Sequence, residues 1–325
     1  MLNKIKVVPL AEESLGVRSM CTFVETPDIK VLFDAGVSLC PSRFGYPPHP
    51  KEYMTLAECR KKIAETAKKA EVVTISHYHF DHHTPSYTDW FSNWSSAEAA
   101  RQIYQDKLIL VKNYRDKINF SQRRRGWLFA KTGGMQAKKI ENADGRIFVF
   151  GNTQLKFSEP VFHGSEGSRL GWLLTTTIEH DNECFMFAPD VQGPMSTPTL
   201  KMILANKPQL IVIGGPPLYL TGLVQPEHLR EGMKNLERVV ENVQTTILAH
   251  HLLRDENWRN ASQSVFEAAT QNDHVAATAA GYLKSESNML ESQRKQLFER
   301  EPPSSEFEKW LKLPHAKRKL SKPPL

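Results

Sequence analysis

His77-Tyr78-His79-Phe80-Asp81-His82-His83 follows directly on Glu71-Val-Val-Thr-Ile-Ser76, a short apolar run rich in β-branched residues. The run reads as a buried strand and the histidines as the loop it feeds. The chain has 12 histidines in 325 residues, so four of them within seven positions call for a chemical reason. In extended backbone His77 and His79 stand at i and i+2, point the same way and can grip one cation. Asp81 and His82 lie a few ångströms further along and can hold a second. Imidazoles with a carboxylate suit zinc, with iron or manganese as alternatives. Tyr78 and Phe80 read as packing residues.

Around this point the chain alternates strand and helix signals. Ile5–Leu10, Val17–Glu25 and Lys30–Phe33 read as strands, followed by a Pro-, Gly- and Ser-rich loop over 36–50. A helix is expected from Thr55 to Ala70, with Thr55 as N-cap and Glu58 completing a capping box. Further strands are expected at Arg146–Phe150, Gln154–Phe157, Leu170–Ile178 and Cys184–Ala188, with a tight hairpin turn at Asp181-Asn182. Then come a helix at Thr199–Ala205, a strand at Gln209–Ile213, a helix at Pro226–Asn242 and a strand at Thr245–Ala249. Helical stretches at Glu256–Thr270 and Asn288–Arg300 follow. No repeat of sequence is visible, but the order predicts an α/β protein of two sheets with helices outside.

The spacing His77-x-His79-x-Asp81-His82 resembles the signature of the metallo-β-lactamase superfamily of binuclear metal hydrolases, and the motif order can be followed from Asp34 to about residue 254. The resemblance implies an αββα sandwich of two facing mixed sheets with helices outside. It implies a first metal on His77, His79 and His163, a second on Asp81, His82 and His250, and Asp190 joining them. Asp34, in Leu32-Phe-Asp-Ala-Gly36, resembles the strand-end aspartate that supports the metal loop without ligating. His251 is the alternative to His250, because a one-residue slip changes which side chain faces inward; Leu-Ala-His-His-Leu-Leu-Arg254 resembles a family ending that favours His250. The chain also resembles an archaeal branch of the superfamily, through the histidine run, Ser121-Gln-Arg-Arg and the final His-His pair. No flavodoxin domain or large nuclease insert is visible. Asp81-His82-His83 also spells the signature of a manganese phosphoesterase family, which would leave the His77/His79 pair unexplained.

What the family's site implies is hydrolysis by a hydroxide bridging two divalent metal ions, with Asp81 and Asp190 as the catalytic carboxylates. Such ions bring the pKa of a water from about 15.7 toward 7 and polarise the scissile group. His83 and His251 are candidates for supporting groups or proton donors. Gly214-Gly215, at the end of a strand, could present backbone N–H groups to an anion or serve only as a turn.

Composition narrows the substrate. Hydrophobic residues make up 40% and charged residues 24%, which excludes collagen-like, mucin-like and wholly disordered chains. The net charge of +6 resides in the stretch from Lys309 onward, which has six basic residues and no acid. Residues 107–139, read as a basic inserted segment, hold ten basic residues and one acid. Arg123-Arg124-Arg125 with Trp127 and Phe129 combines phosphate-binding charge with stacking groups, or forms a solvated helix face. An anionic substrate is therefore expected: a phosphodiester, with nucleic acid bound through 107–139. A carbonyl ester (lactone, thioester or β-lactam) is the alternative, favoured if Trp90, Trp94 and Trp127 line the pocket; a non-catalytic nucleic-acid-binding module is third. Residues 1–300 are read as the metallo-β-lactamase-fold domain and 301–325 as a disordered basic tail. Four dispersed cysteines, no signal-peptide core and no long apolar run lead to the expectation of a cytoplasmic protein without membrane attachment.

Overall fold

The computed structural model describes residues 2–325 and opens with three antiparallel strands, β1 (Lys6–Pro9), β2 (Thr22–Glu25) and β3 (Lys30–Phe33). Helix α1 (Pro50–Ala67) then carries the chain across the sheet, because parallel neighbours need a long crossover. β4 (Val72–Ile75), β5 (Leu108–Val111) and β6 (Lys139–Asn142) add in parallel, giving the order β1-β2-β3-β4-β5-β6. Helices α2 (Ala97–Tyr104) and α3 (Phe120–Lys131) make the later crossovers.

The second half repeats this plan without repeating the sequence. β7 (Ile147–Phe150), β8 (Thr153–Phe157), β11 (Thr176–His180) and β12 (Glu183–Ala188) pair antiparallel, and β9 (Val161–Phe162) with β10 (Trp172–Leu173) forms a separate ribbon. β13 (Leu210–Gly214), β14 (Thr245–Ala249) and β15 (Val275–Thr278) extend the sheet in parallel through α4 (Thr197–Ala205) and α5 (Pro226–Asn242). Its order is β15-β14-β13-β12-β11-β8-β7.

Alternation along the strands builds the layers. Val31 and Phe33 of β3 face the second sheet, with the Phe33 ring 5.0 Å from Phe187 and 6.1 Å from Phe185. Leu32, between them, faces the other way into the layer of Leu56, Ile63 and Tyr104 from α1 and α2. In the second sheet Phe185 and Phe187 point inward, whereas Met186 and Ala188 meet Ile203 of α4 and Leu236 and Val239 of α5. The result is the expected αββα sandwich. Among the described residues no helix is long and apolar enough to cross a membrane.

Three sequence expectations change. Helix α1 begins at Pro50, before Thr55: His49 is the N-cap, its side chain accepting from Lys51 N–H, while Glu52 accepts from His49 N–H at 2.8 Å. The capping pattern at Thr55/Glu58 is thus outcompeted one turn earlier, where Pro50 pre-sets the first helical φ. Residues 107–139 are no insertion, since they supply the sheet strand β5 and the helix α3. The stretch 301–325 is ordered: helices Ser305–Leu311 and His315–Leu320 form, and Phe307 and Trp310 enter the layer around Tyr53 and Phe91. Two apolar residues three apart on one helix face anchor a segment whose composition suggested solvation.

Asn119 caps α3 by accepting from Gln122 N–H at 2.8 Å, and its amide donates to Leu170 O at 2.7 Å. Asn119→Ala is expected to cost about 1–2 kcal/mol, read as a shift in the urea midpoint. An unchanged midpoint would show that α3 is held without its cap.

Candidate metal centre

Each sequence-predicted donor sits where a strand runs out. His77 follows β4, His163 follows β9, Asp190 lies just after β12 and His250 immediately follows β14. The loops they occupy are tightly turned: Asp34, Asp190 and His250 all have positive φ (44°, 38° and 66°), a region that non-glycine residues rarely adopt and that clusters at functional sites. Gly36 lets the histidine loop close down, because a Cβ there would stand 2.3 Å from His83 N and 2.5 Å from His82 N. Gly214 does the same for Asp190, whose backbone N would lie 2.7 Å from such a Cβ. Close packing against Asp190 therefore accounts for that glycine, which sequence alone left open between an anion nest and a turn.

The side chains converge in two groups that share Asp190. His77, His79, His163 and Asp190 form one; Asp81, His82 and His250 form the other, with Asp190 reaching it through His250. Asp190 Oδ2 lies 3.2 Å from His77 Nε2, 3.0 Å from His163 Nε2 and 3.2 Å from His82 Nε2. His77 Nε2 is 3.1 Å from His79 Nδ1, and His82 Nε2 is 3.4 Å from His250 Nε2. His250 Nε2 is 3.6 Å from Asp81 Oδ2.

These separations suit a cation. Ligands about 2.0–2.1 Å from a tetrahedral zinc lie roughly 3.3–3.4 Å from one another. Asp190 Oδ1 is buried and makes no hydrogen bond, although His250 Nε2 and His251 Nε2 are 3.0 and 3.3 Å away. An unsatisfied buried carboxylate oxygen is costly, and an ion removes the cost. Protonation agrees. Burial, reinforced by the charge on His82, pushes His77 down to about 3, and burial also holds His79 well below its usual range, so both are neutral imidazoles, the form that binds metal. Burial opposes a proton on His82, but its bonds to Asp190 and Asp34 outweigh that and raise it. Burial and Arg254 oppose a proton on His250, and Asp190 with Glu13 overcome them. The carboxylates that favour a proton on these two rings would favour a metal cation in its place, so loading the second group would release protons.

The surrounding shell orients the donors. Asp34 Oδ2 holds His82 Nδ1 at 2.8 Å, and its other oxygen accepts from Ser76 N–H at 2.8 Å. Glu13 Oε1 takes His250 Nδ1 at 3.1 Å and Arg254 Nη2 at 2.7 Å. His250 and His251 are not alternatives. The left-handed φ of His250 ends strand alternation and starts a 3₁₀ turn, so both rings face Asp190, and His251 Nδ1 bonds Tyr219 Oη at 2.9 Å. His83 points away, its Nδ1 donating to His79 O at 3.0 Å and its ring packed on Tyr78 and Phe80. Glu13 and Tyr219 had no sequence signal, since neither belongs to a local motif.

A cleft of about 510 Å³ opens over His79, Asp81, His163 and Asp190. Arg18, Arg125, Arg254 and Lys319 line it. The rings of Trp90 and Trp94 lie elsewhere, under Lys322, and Trp127 lies on the outer face of α3.

Over 294 residues the chain is 45% identical to a UPF0282 protein of Methanopyrus kandleri, covering 90% of this chain and 99% of that one. Among solved structures it is similar to yeast PDE1 (11% identity, TM-score 0.51, covering 85% of this chain and 98% of that one). It is also similar to the metallo-β-lactamase fold protein YhfI of Bacillus subtilis (12% identity, TM-score 0.46, covering 85% and 97%). No protein-family model matches the chain. The αββα sandwich with donors at its strand ends is the layout expected from the His77-x-His79-x-Asp81-His82 motif.

Proposed function

The chain belongs to the UPF0282 family, and on that footing we propose that it is a metal-dependent hydrolase that cleaves phosphodiesters, in nucleotides or nucleic acid. The observation that carries the reading is Asp190, a buried carboxylate with histidines from both sheets around it and an oxygen left without a hydrogen bond. His77, His79 and His163 would hold one divalent cation and Asp81, His82 and His250 a second, with Asp190 between them; zinc suits this donor set best. When bound, such ions acidify a water to hydroxide near pH 7 and polarise the scissile oxygen.

The remaining work falls to the chain's own groups. Hydrolysis forms one bond from the water oxygen to phosphorus, breaks the bond to the leaving alkoxide and delivers a proton to it. Asp190 and Asp81 orient the attacking oxygen, and Asp34 and Glu13 fix His82 and His250 so that the donors meet the substrate already placed. Arg125 and Lys319 give the cleft cationic groups that suit a phosphodiester, while Arg18 and Arg254 are paired with Glu291 and Glu13. The carbonyl-ester alternative loses its motive, because Trp90, Trp94 and Trp127 are not among the cleft's lining residues. The free thiols of Cys21, Cys40, Cys59 and Cys184 support a reducing, cytoplasmic setting.

Bound-metal analysis of the purified protein, followed by a panel of bis(p-nitrophenyl) phosphate, a single-stranded oligonucleotide and a lactone, tests the proposal. The expected result is about two ions per chain, with turnover of the phosphodiesters ahead of the lactone. If the oligonucleotide is the better substrate, its rate should fall steeply with salt. A fully metal-loaded protein that turns over no phosphodiester would sink the reading.

A further inference from the structure

The basic stretch 107–139 is dispersed by the fold. Lys112 is buried 2.6 Å from Asp144, and Lys139 pairs with Glu141 at 2.7 Å. Arg123 and Arg124 lie with Tyr114, Phe120 and Trp127 on the outer face of α3. Of the ten basic residues, Arg125 is the one that lines the cleft over the metal centre.

Its position is built from behind. Gln122, Arg125, Gly126 and Phe129 form the helix face that meets the metal loop, at the i, i+3, i+4, i+7 spacing of a single stripe. Gln122 accepts from Tyr78 N–H at 3.0 Å. Gly126 lets the helix approach so closely that a Cβ would stand 2.7 Å from the Tyr78 ring. Arg125 lies 4.3 Å over the Phe80 ring and donates to Tyr78 O at 3.3 Å. Among the described residues it has no carboxylate within 4.0 Å. It is half-buried, and the acid that acts on it, Asp81, does so from beyond ion-pair distance across the same cleft, so an anionic ligand there would meet the guanidinium directly.

A second cation reaches the same cleft from the end of the chain. The helix His315–Leu320 lies on the Asp89–Trp94 loop, where Lys319 O accepts from Trp90 N–H at 2.9 Å, Arg318 covers Phe91 at 4.5 Å and Lys322 covers Trp90 at 4.6 Å. These contacts hold Lys319 at the rim, with Nζ 3.5 Å from Asp89 Oδ2. Arg18 and Arg254, the other cations of the cleft, are held more tightly by buried acids, Glu291 at 2.5 Å and Glu13 at 2.7 Å, whereas Lys319 is more exposed and its pair with Asp89 is long.

We propose that Arg125 and Lys319 form an anion subsite beside the metal centre, which binds a terminal phosphate of the substrate distinct from the ester that is cleaved. The inference rests on the phosphodiesterase reading and narrows it, because the substrate then carries a phosphate monoester as well as the scissile diester. It also gives the C-terminal helix a role in specificity.

The test compares the dinucleotide dTpdT with its 5′-phosphorylated form, pdTpdT, on full-length, metal-loaded protein. The native chain should favour pdTpdT in kcat/KM by about 10-fold or more, the discrimination expected of one charge-assisted contact. Arg125→Gln and Lys319→Gln should each bring that ratio toward unity, and Arg125→Lys should restore part of it. A ratio near unity in the native chain, or one untouched by both glutamine variants, overturns the subsite. Calorimetric binding of the two dinucleotides to the same proteins separates the two claims. Absence of cleavage with preferential, Arg125-dependent binding of pdTpdT removes the hydrolase reading and keeps the subsite, whereas equal binding by the native chain removes the subsite.

Discussion

Replacing Asp190 with alanine is expected to lower phosphodiester kcat/KM by about 10³-fold or more, because the carboxylate acts on both halves of the metal centre. Its two oxygens lie within 3.3 Å of His77, His82, His163, His250 and His251. Without it, Asp81 is the one carboxylate left in the donor set and it serves the second group alone, so the anion shared by both dications is lost. Bound metal should therefore fall along with rate. Asp190→Asn separates charge from shape: it keeps the packing against Gly214 and should lose nearly as much activity. Native-level turnover and metal content in either variant would end the assignment of Asp190 to the reaction.

The largest loss of stability should come from Arg254→Ala. Arg254 is 2% exposed; its Nε donates to Glu13 Oε1 at 2.8 Å, and its Nη2 is 2.7 Å from that oxygen and 3.4 Å from Asp81 Oδ2. Breaking one partner out of a buried pair costs about 3–5 kcal/mol, since the other charge remains uncompensated. Here the cost is sharpened by a second acid: burial, together with the charge of Glu13, already pushes Glu12 up to about 8. For a chain of this size the expected drop in melting temperature is of order 6–15 °C. Thermal unfolding of Arg254→Ala beside Glu13→Gln/Arg254→Met checks the cause, as the double variant removes both charges and should recover a good part of the loss. A single variant that melts with the native chain would show that Glu13 finds another partner.

The two kinds of site residue differ in how far the sequence exposes them. His77, His79, Asp81 and His82 are readable because one loop holds them all, so a local pattern suffices. Asp34, His163, Asp190 and His250 were placed through the family's motif order, and the sheets do bring them together. Glu13 and Tyr219 are different: each reaches the site from a distant part of the chain, and no spacing rule records such contacts. His250 does stand with Asp81 and His82, but the either-or framing did not hold: alternation presumes an extended strand, and His250 leaves it with a φ of 66°, so both rings face Asp190. The tail was misread because composition weighs its lysines and overlooks the spacing of Phe307 and Trp310. The basic stretch was misread similarly, as charge in sequence says nothing of direction in space. Alternating and apolar strand patterns, by contrast, located ten of the thirteen strands of the two sheets; β5 and β6 were hidden in or at the end of the stretch read for its charge, and β15, of small residues, gave no pattern.

The donor set also bears on when the protein becomes a metalloprotein as it is made. One sheet contributes the residues from His77 to His82 and the other Asp190 and His250, so the two halves of the chain meet at the centre. A nascent chain emerging from the ribosome therefore has an incomplete cage until about residue 251 has cleared it, and those distant parts must dock before the cage closes. On the proposed reading, metal loading is expected late in synthesis, after both sheets have docked, so that a bound ion would report that the two halves have met.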